Sequence, residues 1–266
     1  MIKLFVTDLD GTLLGKGNNI NPKDIDAIHS LALHDIDFAV ATGRLDREII
    51  DILTSMDKKG HRVSQNGSFV HDQDGNCLYQ QTFPIDLSKR LHDAILNKTS
   101  DYFISTSDEI HVPKKNTVVK LLEKVLYFPV TETPALAKTL DNSVQAAKYS
   151  IYGKTENIVA LQAEIQQQFD AEIESYLSDS RIVEIVPKGV SKANGLAMLL
   201  KKLKIKNDEI AVIGDSFNDI PMLEMTPHSY VMSRAHNDVK QKANKVVDHV
   251  HQAITDLKEK QLVPTN

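Results

Sequence analysis

The sequence predicts an α/β protein, a doubly wound parallel sheet interrupted by an inserted α+β unit. Three short apolar runs carry the first half of that reading. "KLFV", "FAVA" and "IAVI" each end in a small polar cluster, Thr7-Asp8, Thr42-Gly43 and Gly214-Asp215. Continuous apolar runs of this length are the mark of strands buried on both faces of a parallel sheet. Helical periodicity lies between them, and alternation of strand and helix is the pattern of a doubly wound fold. The middle third departs from that alternation, which predicts the insert.

In chain order, a strand at 2–6 leads to a helix at 22–33, a strand at 38–41, a helix at 47–55 and a weaker strand at 62–64. The insert then reads as a helix at 86–97 and paired strands at 102–106 and 109–112. Helical stretches at 117–126 and 135–140 and a strand at 147–152 follow. An amphipathic helix at 156–169 leads to strands at 174–177 and 182–186. The parallel pattern resumes with a helix at 193–203, a strand at 210–213, a helix at 220–225 and short strands at 230–232 and 245–247. Pro84 and the Pro187-Lys188-Gly189 turn break the backbone at the two crossings, giving a core of 1–83 and 188–266 around a unit of 84–187. The tail after Lys260 is expected to fray.

With 266 residues, both units are large enough to bury cores of their own. No apolar run approaches the roughly 20 residues needed to span a bilayer, so no membrane is expected. A net charge of −5 supplies no basic field for nucleic acid. The basic stretch Lys201, Lys202, Lys204 and Lys206 sits where a helix ends and cations complement its dipole. The chain opens on a strand-like run followed by acidic residues, unlike a secretory or transit peptide, so a cytoplasmic protein is expected. Cys77 is the sole cysteine, which excludes intramolecular disulfides and cysteine-based zinc sites. His249 and His251 read as surface residues.

In an open parallel sheet the functional crevice lies beyond the carboxyl ends of the strands. All three polar clusters fall there, so Asp8, Asp10, Thr42, Gly43 and Asp215 are expected on one rim. Read as extended chain, Asp8-Leu9-Asp10 would set two carboxylates side by side, and Gly11 would let the backbone approach an anion. Asp215 adds a third carboxylate, with Asn218 and Asp219 just downstream. Three carboxylates form an oxygen-rich site for a hard cation such as Mg2+. Thr42 and Gly43 at a helix start, and Lys192 in "GVSKANGL", supply the opposite charge. Cation, lysine and backbone donors around carboxylates describe phosphoryl transfer.

The motifs "DLDGT", "ATGR", "GVSK" and "GDSFND", in that order, resemble the four motifs of the haloacid dehalogenase (HAD) superfamily of phosphohydrolases. The "NG" at Asn66-Gly67 and "RAHNDVKQKAN" from Arg234 extend the likeness to essentially the whole chain. With its insert between the second and third motifs, the chain resembles Cof-type phosphatases, whose HAD-like Rossmannoid core bears an αβ cap of type IIB. The resemblance implies a Mg2+-dependent phosphatase acting on small phosphorylated metabolites, such as sugar phosphates, through an aspartyl-phosphate. Asp8 would be nucleophile and metal ligand. Asp10 would be general acid and base and offer its backbone carbonyl to the metal, and Asp215 would be the further metal ligand. Leu9 by its backbone, Thr42, Gly43, Lys192 and Asn218 would hold phosphoryl oxygens, with Asp219 behind them. Arg44 and Asn66 stand between substrate contact and plain helix and turn roles.

The chain departs from the subfamily at Ala193-Asn194, Arg234 and Ser68, and no catalytic group is lost by it. Asp10 argues against halide displacement, since dehalogenases lack that second aspartate. Two alternatives stay open: a phosphomutase of the superfamily and a non-catalytic metabolite-binding regulatory protein. Mutases usually carry a helical insert after the first motif, where this chain has only about 27 residues between Asp10 and Phe38. Tyr102, His111, Lys148, Tyr149, Tyr152 and Arg181 are candidates for reading the leaving group. A monomer or weak homo-oligomer is expected.

Overall fold

The computed structural model describes residues 1–99, 101–126, 128–140, 143–179 and 181–263. It opens with β1 (Leu4–Thr7), α1 (Pro22–Ala32), β2 (Asp37–Ala41), α2 (Asp46–Ser55), β3 (His61–Ser64), β4 (Phe69–His71) and β5 (Cys77–Gln80). Next come α3 (Ile85–Leu96), β6 (Tyr102–Ser105), β7 (Ile110–Val112), α4 (Thr117–Leu126), β8 (Thr131–Glu132) and α5 (Leu136–Thr139). They are followed by β9 (Lys148–Tyr152), α6 (Thr155–Phe169), β10 (Ile173–Asp179) and β11 (Ile182–Pro187). The chain closes with α7 (Lys192–Leu203), β12 (Ile210–Gly214), α8 (Ile220–Leu223), β13 (Ser229–Met232), α9 (Asn237–Lys240), β14 (Lys245–Val247) and α10 (Val250–Glu259). Two compact units result. One is Met1–Arg44, Ile49–Gln80 and Ser191–Asn266, and the other is Leu45–Glu48 with Gln81–Val190.

The first unit holds an eight-stranded sheet in the order β14-β13-β12-β1-β2-β3-β4-β5. The pairs from β14 through β3 are parallel, and β4 and β5 close one edge antiparallel. Strand order runs outward in both directions from β1, so the topological switch point, where α/β sheets bind ligands, lies between β1 and β12. Their ends are level, with Thr7 opposite Ile213. Side-chain alternation splits β1 between two cores. Phe5 joins Ile28 and Leu31 of α1, Ile49 and Leu53 of α2, and Ile254 and Leu257 of α10. Leu4 and Val6 join Leu196 and Leu199 of α7 and Met222 and Leu223 of α8.

Three features of this unit differ from expectation. The edge hairpin β4–β5 was hidden by the three-residue length of β4 and the exposure of β5; its turn is built by Asp72 Oδ1, which accepts from the backbone N–H groups of Asp74 and Asn76 at 3.0 and 2.8 Å. The helix α10 buries Val250, Ala253, Ile254 and Leu257 at helical spacing. The tail is not frayed through Val263: Ile2 N donates to Leu262 O at 2.9 Å and Val263 is buried in the core. Residues 264–266 lie outside the described residues.

The second unit holds a six-stranded sheet, β10-β11-β9-β6-β7-β8, antiparallel except for β7–β8. Tyr102, Ile104, Tyr149, Ile151, Val183 and Ile185 project from it into a core with Leu91 and Ile95 of α3 and Ile158 and Ile165 of α6. The alternate residues Lys148 and Glu184 form a buried ion pair at 2.5 Å. Leu45 belongs here by packing with Phe103, Ile110, Val112, Val119, Phe128 and Val130, and Arg47 lies over the Phe128 ring at 4.3 Å. No described helix is long and apolar enough to cross a membrane.

Candidate active site

The carboxyl end of β1 delivers Asp8 to the switch point with its side chain almost fully buried. Lys192, the first residue of α7, donates from Nζ to Asp8 Oδ1 at 2.7 Å and to Asp219 Oδ1 at 2.6 Å. Only 2% of Lys192 is exposed, 3% of Asp8 and none of Asp219, so the three charges form a dry network. Asp219 is held in turn by the chain after β12, its Oδ2 accepting from Asp215 N and Ser216 N, each at 2.9 Å. Thr12 Oγ1 donates to Asp215 Oδ1 at 3.1 Å. Carboxylate oxygens of Asp8, Asp215 and Asp219 lie within 4.8 Å of one another.

The close quarters require glycine. A Cβ on Gly11, whose φ is +80°, would stand 2.2 Å from Asp215 Oδ2. One on Gly67, at φ +101°, would meet Ser191 O, also at 2.2 Å. Gly67 therefore lets the turn after β3 lie against the residue that caps α7, where Ser191 Oγ accepts from Asn194 N at 3.1 Å.

Asp10 takes a different course from the one expected. The strand ends at Thr7 and the chain turns, with Thr12 N and Leu14 N both donating to Leu9 O, at 3.1 and 2.8 Å. The two carboxylates consequently part. Asp10 is exposed and held bidentately by Arg44, whose Nε donates to Oδ2 at 2.8 Å and Nη2 to Oδ1 at 2.6 Å. Arg44 Nη2 also reaches Asn18 Oδ1 at 3.0 Å. The third carboxylate of the buried cluster is thus Asp219.

Thr42 and Gly43 follow β2, and Thr42 N donates to Val63 O at 2.9 Å. The turn after β3 meets the loop after β12 where Asn218 Nδ2 donates to Asn66 Oδ1 at 3.2 Å. Asn66 sits there at φ 58°, a left-handed conformation that asparagine tolerates better than most residues. Arg234, unremarked as a contact by sequence reasoning, fastens the loop after Asp10 by donating to Gly11 O at 2.5 Å and Thr12 O at 3.0 Å.

A family model described as haloacid dehalogenase-like hydrolase matches residues 5–255. The chain belongs to that family. It is 26% identical over 243 residues to a protein of Yersinia pseudotuberculosis named HMP-PP phosphatase, covering 91% of this chain and 87% of that one. A crystal structure from Thermotoga maritima matches with a TM-score of 0.85 at 23% identity, over 100% of this chain and 99% of the other. A HAD/COF-like hydrolase from Plasmodium vivax matches with a TM-score of 0.86 at 25% identity, over 98% and 95%.

In this HAD-like hydrolase the site's charges do not balance. Burial pushes the Asp8 carboxyl well above the usual carboxylate range, opposed by Lys192 and reinforced by Asp219 and Asp215. Burial, then Asp219, raises Asp215 from 3.8 to about 6, against Thr12, Lys192 and Arg234. Burial would lower Lys192, but Asp219 and Asp8 together outweigh it and hold the ammonium charged. Three carboxylates facing one buried ammonium leave a negative surplus, and their all-oxygen donor set fits a hard divalent cation.

The raised Asp215 makes a pH prediction. A folded pKa above the unfolded one means that the proton stabilises the folded state, and that this stability is lost as pH rises through about 6. Asp215→Asn has no such proton to lose. In EDTA, its urea midpoint should gain on the wild type as pH rises from about 5 to about 7.5, and excess Mg2+ should narrow the gap by stabilising the wild type. A difference that stays constant with pH would show that Asp215 is not destabilised by its surroundings.

Proposed function

We propose that this HAD-like hydrolase is a Mg2+-dependent phosphatase of small phosphorylated metabolites that works through an aspartyl-phosphate on Asp8. The observation that carries the reading is the buried Lys192, bonded to both Asp8 and Asp219 beside Asp215 at the switch point. Lysine and carboxylates in a water-poor crevice are the parts that phosphoryl transfer needs. The name of the Yersinia relative adds HMP-PP to the candidate substrates.

Asp8, Asp215 and the Asp10 carbonyl would hold the Mg2+, which when bound offsets the negative charge of the carboxylates and the phosphate. Lys192 orients Asp8 and, with the cation, would favour its ionised form while an Asp8 carboxylate oxygen attacks phosphorus. The bond to the leaving oxygen breaks, and Asp10 gives that oxygen its proton. Asp10 then takes a proton from water as the water oxygen attacks the phosphoryl group, releasing inorganic phosphate and restoring Asp8. The Leu9 N–H, Thr42, Gly43, Lys192 and Asn218 hold the phosphoryl oxygens. Asn218 keeps a buried Oδ1 without a partner, an acceptor suited to a water in the site. Arg44 holds Asp10 away from the buried cluster, so proton transfer begins with the opening of that pair.

The test is phosphate release from p-nitrophenyl phosphate and from a panel of sugar phosphates, nucleotides, pyridoxal phosphate and HMP-PP. Turnover should vanish in EDTA and return with Mg2+, and phosphate should appear in water and not on a second hydroxyl. Full turnover in metal-free buffer would overturn the mechanism.

A further inference from the structure

We infer that Asp24, His249 and His251 form a second metal site, selective for a borderline transition ion such as Zn2+ over Mg2+. The three residues offer donor atoms within 4.8 Å of one another. Asp24 lies in the first turn of α1 and is only 2% exposed. Its Oδ1 accepts from His251 N at 2.8 Å and lies 2.7 Å from His251 Nδ1, linking positions 227 apart in sequence. No described residue bonds its Oδ2. His249 caps α10, and its ring lies parallel to that of His251, with centroids 5.2 Å and planes 18° apart. His249 Nδ1 is 3.5 Å from Asn21 Nδ2, and neither imidazole Nε2 bonds a described residue.

A buried carboxylate and two half-buried imidazoles with open nitrogens are the donor set of a zinc ion that completes its shell with water. Imidazole disfavours Mg2+, so this site and the carboxylate cluster would sort the two metals. Ligation at about 2.0–2.2 Å requires the donors to draw closer than they stand and His251 to exchange its Nδ1 contact with Asp24 for the ion, which the two partly exposed histidines can do by side-chain rotation. The ion would clip α1 to α10, whose packed faces already join the two ends of the chain. None of the residues of the active site lies on these helices, so the site is independent of the phosphatase reading.

The full chain, stripped with EDTA, dialysed and held in excess Mg2+, is titrated with Co2+ and then Zn2+. One equivalent of Co2+ should give a visible absorption band that Zn2+ abolishes, and Zn2+ should raise the melting temperature by about 2–4 °C or more. His249→Asn keeps an N-cap acceptor and His251→Gln tests the second ligand. Both should lose the band and the Zn2+ shift while retaining the unliganded circular dichroism and Mg2+-dependent turnover. No band in the wild type, an undiminished band in either folded variant, or a band lost in Asp215→Asn and kept in His249→Asn would overturn the proposal.

Discussion

Lys192→Ala should lose far more than tenfold in kcat/KM and also lower the stability of the metal-free protein. The ammonium stands 2.7 Å from Asp8 and 2.6 Å from Asp219 with 2% of its side chain exposed, so truncation leaves two dry carboxylates without their shared partner. Removing one member of a buried ion pair typically costs about 3–5 kcal/mol, reduced here to whatever extent Asp8 takes up a proton instead. The catalytic loss follows from the proposed mechanism, in which a neutral, protonated Asp8 would be a poor nucleophile and the charge that Lys192 would offer the phosphoryl group is gone. Denaturation midpoints in EDTA and steady-state kinetics in saturating Mg2+ separate the two effects. A fall in kcat/KM of less than about tenfold, or roughly 1.4 kcal/mol, would reduce Lys192 to a structural cation.

How far the site could be read from the sequence depended on whether a residue's role is local. Apolar runs ending in small polar clusters located the carboxyl ends of β1, β2 and β12, since burial on both faces leaves that pattern in the chain itself. Asp8, Thr42, Gly43 and Asp215 were placed on that basis, and Lys192 from its position near the start of a helix. Asp10 was misplaced because period-two reasoning assumes an extended backbone, and the Leu9 carbonyl had already turned the chain by accepting from Thr12 and Leu14. The partner of Asp10 is Arg44, 34 residues on, and that of Asp24 is His251, 227 residues on; no local pattern encodes such a meeting. The insert was read as one segment, 84–187, yet the packing of Leu45 with Phe103 and Val119 places it in that unit as well, from well upstream in the chain. The strands β4 and β5 escaped notice because β4 is only three residues long and β5, at the sheet edge, is largely exposed, so neither carries much apolar signal.

Asp8→Asn and Asp10→Asn should fail in different ways. On the proposed mechanism the first removes the attacking carboxylate while leaving the side chain nearly isosteric, so no covalent intermediate should form with any substrate. The change takes one charge from a buried cluster that carries a negative surplus, leaves an amide oxygen able to accept from Lys192 and leaves Asp219 as its ion-pair partner, so the loss of turnover should be close to complete at little cost in folding. Asp10 lies exposed and paired with Arg44 instead, and its replacement removes a proton donor whose value depends on the leaving group. A sugar phosphate leaves as a basic alkoxide and needs the proton, whereas p-nitrophenolate leaves without it. The first step of Asp10→Asn should therefore be slowed severely for the sugar phosphate and mildly for the aryl ester. Because the proposed mechanism also has Asp10 deprotonate water in the second step, the aryl ester should give one burst of nitrophenol and then stall with labelled phosphate on the protein. Rapid quench of Asp8→Asn should show neither burst nor label. Equal slowing of both substrates by Asp10→Asn, with no phosphoprotein trapped, would remove Asp10 from the role of acid and base and leave Arg44 as its structural partner alone.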